Sequence, residues 1–584
     1  MGSENRAAHV GVTRTVTAAA RSLAKTMGAD GDLFTAFCGA TLAQMRAPFI
    51  ARHGAKRVPE ALRQLFDNFR KRTGREIGVE LTPIGPGTAV LRTAMQDQPF
   101  IVDTARLLLS RAGVTYEGGF HAVLRVRRDE QGGVLSIGDA DGGLESVSQF
   151  EVSGVEADAA EPLALILEGN LRLARSMVED HREMTNLVDQ VASRMTRIAE
   201  RRPDEREALN EANEFLRWLL SDNFVFMGLA DGHVRLGFER DSLRDVWQAS
   251  VHEASDLGHF GGAGFPVVVR KGIIESPVHR AGRVDEIRVL VPHEDGAPSH
   301  VMLLRGMFTF RAVTQPSRSV PMLRNMLADV LQDDISRPGS WRYKGVANVF
   351  DSLPTEYLFT ADKDQIVTMI DRVLDAESER DSRVFLVQRA DDEVTFVLAA
   401  MPRRQYSDLL RARMEDMLKT QTGATYSDHG VLMGRFETVL VHYYLTGARA
   451  LSEPEAAAVR DRLMYMATPW DIRLYKALVA SGTPGLESIF ARYSAAFDAD
   501  YVASDVVERA LQDIAFLERL DDRTPLLADL YERDGRVVVS LFQDGNVFLS
   551  DCMPVLTNFG LVVIEQFSSA VRPVGSAERT IDTF

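Results

Sequence analysis

Thr88-Ala89-Val90-Leu91-Arg92-Thr93-Ala94-Met95-Gln96, then Asp97-Gln98-Pro99-Phe100, then Ile101-Val102-Asp103-Thr104-Ala105-Arg106-Leu107-Leu108-Leu109 is the stretch that decides the fold of this chain. In the first run Ala89, Leu91, Thr93 and Met95 alternate with their neighbours, the period of two of a β-strand. In the last run Ile101, Ala105, Leu108 and Leu109 recur at three- and four-residue steps, the period of a helix. Gly113 follows, where a left-handed residue ends a helix and glycine adopts that conformation without steric cost. Alternation then returns, with Phe120, Ala122, Leu124 and Val126 on one face and His121, Arg125 and Arg127 largely on the other. Gln131-Gly132-Gly133 reads as a turn and 145–155 as a further strand. The stretch is strand, helix, strand and closing strand: a small α+β domain.

Upstream, Leu33, Phe34, Phe37, Leu42, Met45, Phe49 and Ile50, and then Leu62, Leu65, Phe66 and Phe69, predict helices. Downstream, 156–202 is helical. Its Met184, Val188, Val191, Met195 and Ile198 step by four and three, a seam for an intramolecular helical hairpin or an intermolecular zipper. Arg201 to Glu205 breaks this helix, and a second runs over 207–221. Strands are expected at 224–227, 266–270, 286–292 and 301–310, with Gly261-Gly262-Ala263-Gly264 as a loop. Helices follow at 321–331 and 363–379, separated by a loop around Ser340-Trp341. A hairpin, 384–387 and 394–399 across Ala390-Asp391-Asp392, leads to a helix at 405–419 and a strand at 437–444, repeating the α+β logic. After a helical region, 454–520, come a strand at 536–542, a Gln543-Asp544-Gly545 turn, a helix at 552–558 and a strand at 561–566. This is half of an α+β unit. Its core is expected to dock on the preceding helices, with a disordered tail from Gly575 on.

The 584 residues suggest about four domains, and 45% apolar with 26% charged residues is ordinary globular usage. A formal charge of −16 argues against a nucleic-acid surface, which needs a basic face. No apolar run approaches the ~18 residues of a membrane helix. Two cysteines, Cys38 and Cys552, cannot build a disulfide framework or a four-cysteine zinc site. A soluble, reduced, cytoplasmic protein is the expectation. No dinucleotide glycine fingerprint, phosphate loop, zinc-protease or nucleophile-elbow motif is present. The histidine pairs His252/His259 and His293/His300 sit in loop-like stretches and read as solvated side chains. Cys552 reads as a core cysteine opening a helix.

Longer strings carry a resemblance. Thr93 to Asp103 followed by His121 to Asp129 resembles the N-terminal region of the large bacterial NAD-specific glutamate dehydrogenases. Phe215-Leu216-Arg217-Trp218-Leu219-Leu220-Ser221-Asp222-Asn223-Phe224, Ser276-Pro277-Val278-His279-Arg280, Ser319-Val320-Pro321-Met322-Leu323-Arg324 and 550–561 fall in the same family's order. One departure is Ala281, where family members usually have proline.

The resemblance implies an α+β chain of ACT-like/ferredoxin-like and antiparallel sheet domains joined by helical segments. Its divisions are an N-terminal helical segment (1–76), an ACT-like domain (77–155), a helical segment (156–221) and a β-rich sensor-like domain (222–314). A helical connection (315–380), a second ACT-like domain (381–448), a helical segment (449–522) and an incomplete third ACT-like unit (523–584) follow. It implies a regulatory and oligomerisation region of an enzyme converting L-glutamate, NAD and water to 2-oxoglutarate, ammonium and NADH. NAD belongs to that parent enzyme; this chain alone is expected to bind no cofactor or metal, to have no catalytic residue and to be inactive. Partners expected are further copies of the chain, a small amino-acid effector and a dehydrogenase domain in cis or in trans, with no nucleic acid or membrane. A stand-alone amino-acid sensor or scaffold is the alternative. The effector site of such a unit lies where the first strand turns into the first helix, because a helix N-terminus offers unpaired N–H groups to a carboxylate. Here that is Asp97, Gln98, Pro99 and Phe100, with Pro99 suited to the first helical position. Ligand-binding loops of this type carry glycine where Phe100 stands. The other reading makes Asp97 an N-cap and Phe100 a core residue.

Overall fold

The computed structural model describes residues 3–72, 76–243, 265–293, 295, 298–333, 337–379, 382–389, 393–433, 438–504, 507–533, 535–544 and 549–584. The Gly261–Gly264 loop, His252, His259, Ala390, Asp391, Asp392 and Gly545 lie outside the described residues. The chain forms two compact units, Met1–Ile366 and Val367–Phe584. It is α+β throughout, with small antiparallel sheets joined by helices.

The first unit opens with helices α1 (Ser3–Ala24), α2 (Gly31–Leu42) and α3 (Ala47–Lys71). Strands β1 (Gly78–Gly85) and β2 (Thr88–Gln96), helix α4 (Ile101–Arg111), and strands β3 (Thr115–Arg128), β4 (Val134–Ile137) and β5 (Gly143–Ser153) follow. The sheet order is β1-β2-β5-β3-β4, so β5 lies between the two strands that α4 connects. This is a split βαβ arrangement. Gly113 sits at φ 68 just past α4, and Val114 N–H reaches back to Leu109 O at 2.9 Å, the Schellman closure the sequence predicts.

Both faces of this sheet are covered. Leu81, Leu91, Met95 and Phe150 pack with Ile101, Ala105 and Leu109 of α4. On the opposite face Ala94, Phe120, Leu124 and Val147 pack with Phe37, Leu62 and Phe66 of the N-terminal helices. Seven consecutive residues of β2, Ala89 to Met95, are therefore buried.

Helix α5 (Ala160–Arg201) continues from this sheet, and α6 (Arg206–Trp218) folds back along it. Met184, Val188, Val191, Met195 and Ile198 are all buried within the chain, and Arg217 of α6 pairs with Asp189 at 2.8 Å. The seam thus belongs to an intramolecular helical hairpin. Strands β6 (Phe224–Asp231), β7 (Val234–Gly237), β8 (Val267–Glu275), β9 (Arg283–Pro292) and β10 (Pro298–Phe308) form a second antiparallel sheet in the order β7-β6-β10-β9-β8. Then come α7 (Phe310–Val313), α8 (Leu323–Asp333), α9 (Trp341–Ser352) and α10 (Thr355–Thr360). The expected loop at Ser340-Trp341 is the start of α9, where the Ser340 hydroxyl accepts from Tyr343 N–H. The division between the units falls within α11 (Lys363–Glu379).

The second unit repeats the first topology twice. Strands β11 (Arg383–Arg389) and β12 (Val394–Pro402), helix α12 (Asp408–Thr422), and strands β13 (Tyr426–Met433) and β14 (Thr438–Thr446) give the order β11-β12-β14-β13. Helices α13 (Glu453–Ala467), α14 (Trp470–Ala480), α15 (Leu486–Tyr493), α16 (Ala499–Ser504) and α17 (Val507–Leu517) follow. The last sheet contains β15 (Leu526–Arg533), β16 (Arg536–Asp544), β17 (Phe567–Val571) and β18 (Arg579–Thr583), with α18 (Leu549–Asn558) after β16, in the order β15-β16-β18-β17.

Three expectations are corrected here. The strand expected at 561–566 is irregular, and the strand begins at Phe567. The tail expected to be disordered from Gly575 instead forms β18, which pairs with β16 through Phe542 and Ile581. In place of two strands there are four, β15 and β18 being those that the local pattern does not display. Phe542, Val571 and Ile581 pack with Trp470, Phe497 and Ile514, so the sheet docks on the helices before it. Amide exchange should therefore be as slow for 579–583 as for 538–542, and Ile581→Ala should cost about 2–5 kcal/mol in denaturant unfolding. Fast exchange at Ile581 would contradict the central placement of β18.

Candidate functional site

The turn from β2 into α4 is held at its start by Asp97 N–H, which donates to Leu144 O at 2.9 Å. Phe100 is the N-cap residue, with φ 73 and ψ 6, and no side chain caps the helix. Pro99 therefore precedes the cap instead of occupying the first helical position, and Asp97 is not the N-cap. Helix α12, at the equivalent place in the second unit, is capped by Ser407, whose hydroxyl accepts from Leu410 N–H at 3.1 Å. The positive end of α4 thus lacks the side-chain oxygen that α12 has.

A non-glycine residue in the left-handed region is strained by on the order of 1–2 kcal/mol and persists where its surroundings dictate it. Packing supplies the reason. The Phe100 ring packs against the core of Leu173, Ala174, Met177 and Val278, and meets His279 edge to face at 5.1 Å between centroids. His279 itself sits at φ 72. Two strained residues from different elements thus hold each other. The core reading of Phe100 is consistent with this packing, and its backbone takes the conformation that glycine reaches freely.

Beside this pair lies a cleft of about 640 Å³, lined among others by Asp103, Arg106, Tyr116 and His279. The Arg106 guanidinium lies 4.7 Å over the Tyr116 ring. His279 Nδ1 and Gln98 Nε2 are buried and have no hydrogen-bond partner among the described residues. Burial pushes the His279 pKa down, the Arg280 charge adds to this, and Asp103 opposes it. The cleft thus runs along α4 to the turn at Gly113, and brings one cation, Arg106, one carboxylate, Asp103, and the His279 imidazole to the same wall. The sequence reading placed Asp97 to Phe100 together but missed Asp103, Arg106, Tyr116 and His279. The signal for His279 was present, because it stands inside the string 276–280.

The other described candidates are engaged or buried. His300 is engaged by Asp231 and Ser299, and no group of three metal-ligating residues occurs among the described residues. Cys38 and Cys552 are buried, and burial pushes the Cys38 thiol up to about 12, away from thiolate reactivity. No described helix is long and apolar enough to cross a membrane.

Three sheets sharing one strand order, each with a helix following its second strand, define a protein built on tandem ACT-type units. Residues 37–164 match the glutamate dehydrogenase ACT1 domain, 383–471 the ACT2 domain and 525–584 the ACT3 domain, while 320–379 match helical motif 1 of the same enzymes. Together these cover more than half of the chain, which belongs to the large NAD-specific glutamate dehydrogenase family. The NAD-specific glutamate dehydrogenase of Halomonas elongata is 27% identical over 503 residues, 80% of this chain and 31% of that protein. Those of Pseudomonas aeruginosa and Mycobacterium tuberculosis are 23% and 25% identical over 84% of this chain, and 32% and 31% of their own lengths. The chain spans about a third of the length of these relatives.

The lowered pKa of His279 gives a pH test. The unfolded chain takes up this proton near pH 6.5 and the folded chain only at lower pH. Between the two values the unfolded state binds more protons, so the contribution is full above pH 6.5 and fades as pH falls through that window. Thermal stability should fall less between pH 7.5 and 5 in His279→Gln than in the unaltered protein. Parallel profiles would show that His279 does not titrate in this way.

Proposed function

We propose that this chain is a non-catalytic regulatory and oligomerisation region of a large NAD-dependent glutamate dehydrogenase. The observation that carries the reading is the match of three of the four sheets, which share one path of strands and helix, to the three ACT domains of that family. The parent reaction is the oxidative deamination of L-glutamate to 2-oxoglutarate and ammonium with NAD, carried out in the cytoplasm by a dehydrogenase domain in cis or in trans. A small amino-acid effector acts at the turn formed by Asp97, Gln98, Pro99 and Phe100, or in the cleft lined by His279 beside it. The division into segments at 76, 155, 221, 314, 380, 448 and 522 is part of this reading.

Self-association is supported by the free edge of the second ACT sheet. Strand β13 ends that sheet and leaves Val431, Leu432 and Met433 between 38 and 53% exposed. An apolar strand edge with unpaired N–H and C=O groups favours pairing with another edge. Sedimentation at tens of micromolar should show species heavier than the 64.7 kDa monomer, and Leu432→Lys should shift them towards monomer. A monomer throughout would count against the reading.

Purified chain should show no glutamate-dependent NAD reduction. Fused or mixed with a dehydrogenase domain of the family, it should change that domain's response to added amino acids. NADH formation by the chain alone, surviving removal of host dehydrogenase, would overturn the non-catalytic assignment. An unaltered response in the fused or mixed enzyme would favour a stand-alone sensor or scaffold.

A further inference from the structure

The first two ACT-type sheets are each closed by a helix that follows the last strand. Helix α5 begins seven residues after β5 ends, from Ser153 to Ala160, and α13 begins seven residues after β14 ends, from Thr446 to Glu453. Both then take the same course. Helix α5 lies across the edge strand β1 and beside α4, while α13 lies across the edge strand β11 and beside α12. Ala160, Ala164, Leu167 and Leu171 of α5 pack with Leu81, Leu91 and Leu109. Ala456, Val459, Leu463 and Ala467 of α13 pack with Val384, Val397 and Met414. In both helices the packed residues recur at three- and four-residue steps, the apolar stripe of an amphipathic helix.

Among the described residues the third sheet lacks this cover. One face of its edge strand β15 turns to α17: Leu527 packs with the helical core, and Asp529 holds Arg509 at 2.7 Å. The other face presents Leu526, Ala528 and Leu530, all exposed. Leu530 is 65% exposed, against 8% for Leu81 of β1 and 9% for Val384 of β11. The next strand shows the same difference. Val539 and Leu541 of β16, level with Leu530 and Ala528, are half-buried, and Val537 beside them is 61% exposed. Val397 and Ala399 of β12, level with Leu386 and Val384, are fully buried. An apolar strip left in water across two neighbouring strands marks a surface that a partner covers.

We propose that this strip seats an amphipathic helix supplied by the residues that follow Phe584 in the full-length protein, as α5 and α13 are supplied by the residues after β5 and β14. This chain spans about a third of the length of its relatives, which leaves polypeptide for such a helix. The connection sets the register. The helix starts about seven residues beyond Thr583, the end of β18, and carries apolar residues at three- and four-residue steps over about three turns. That face covers Leu526, Leu530 and Val537 by packing alone, without adding a strand to β15. The inference concerns how the third unit is completed and stands whether or not the chain regulates a dehydrogenase.

The test places a reporter thiol on the strip, in Leu530→Cys and, separately, in Leu526→Cys. Cys38 and Cys552 are buried and give a slow background. In residues 1–584 either new thiol should react with a maleimide as fast as a free thiol. In the full-length protein it should react about tenfold more slowly or less. A benzophenone maleimide attached there should cross-link, on illumination, to residues within about thirty positions after Phe584, room for the connection and the helix. Equal labelling rates in the two proteins, at either position, would overturn the proposal. Cross-links only to a second copy of the chain, or only to more distant parts of the protein, would overturn it as well. So would a reading frame that closes at Phe584, or one that continues without an apolar stripe at helical spacing.

Discussion

Everything in the first unit depends on the continuity of α5. At 42 residues and 1.5 Å per residue this helix is about 63 Å long. Leu167 and Leu171 belong to the core of the first sheet, while Leu173, Ala174 and Met177 belong to the core of the second. The change of core takes place within a single turn. Asp180 then fixes the helix to the second sheet, its buried carboxylate accepting from Gly237 N–H and Arg240 Nε, each at 2.7 Å. A helix that cannot slip by one residue without emptying two cores sets the distance between Phe100 and His279.

What the sequence revealed follows from how clearly periodicity survives burial. The β2–α4–β3 path was legible because its apolar residues change from period two to helical spacing at Gln98-Pro99. Strand β1 was hidden, because Gly78, Glu80, Thr82 and Pro83 dilute its apolar pattern. Strand β18 was hidden for a different reason. Thr580 and Asp582 look like a solvated tail, yet both are buried, and Asp582 accepts from Gln543 Nε2 at 2.7 Å. A polar strand in the centre of a sheet is satisfied by partners distant in sequence, which a local pattern cannot display.

The site was half legible for the same reason. Helix logic located Asp97 to Phe100 but could not foresee that Phe100 would take a glycine-like backbone. That outcome depends on Leu173, Val278 and His279, 73 to 179 residues further along the chain. The burial of Arg92 was equally hidden. On β2 this residue reads as the polar member of an alternating strand, and only α3, covering the opposite face, turns that side into an interior.

The shared strand order also governs how the chain assembles as it is made. In each of the three ACT-type sheets the strand latest in sequence, β5, β14 or β18, is inserted between two that precede it. Arg92 and its partner Gln149 are 57 residues apart. Until the inserted strand emerges, the two strands it will separate each present an open edge. Sheets closed by distant pairing pay loop entropy first and fold slowly. During synthesis the nascent chain therefore carries exposed, sticky strand edges for the time needed to translate several dozen codons, three times in succession. Chaperone capture and co-translational misassembly act on that interval.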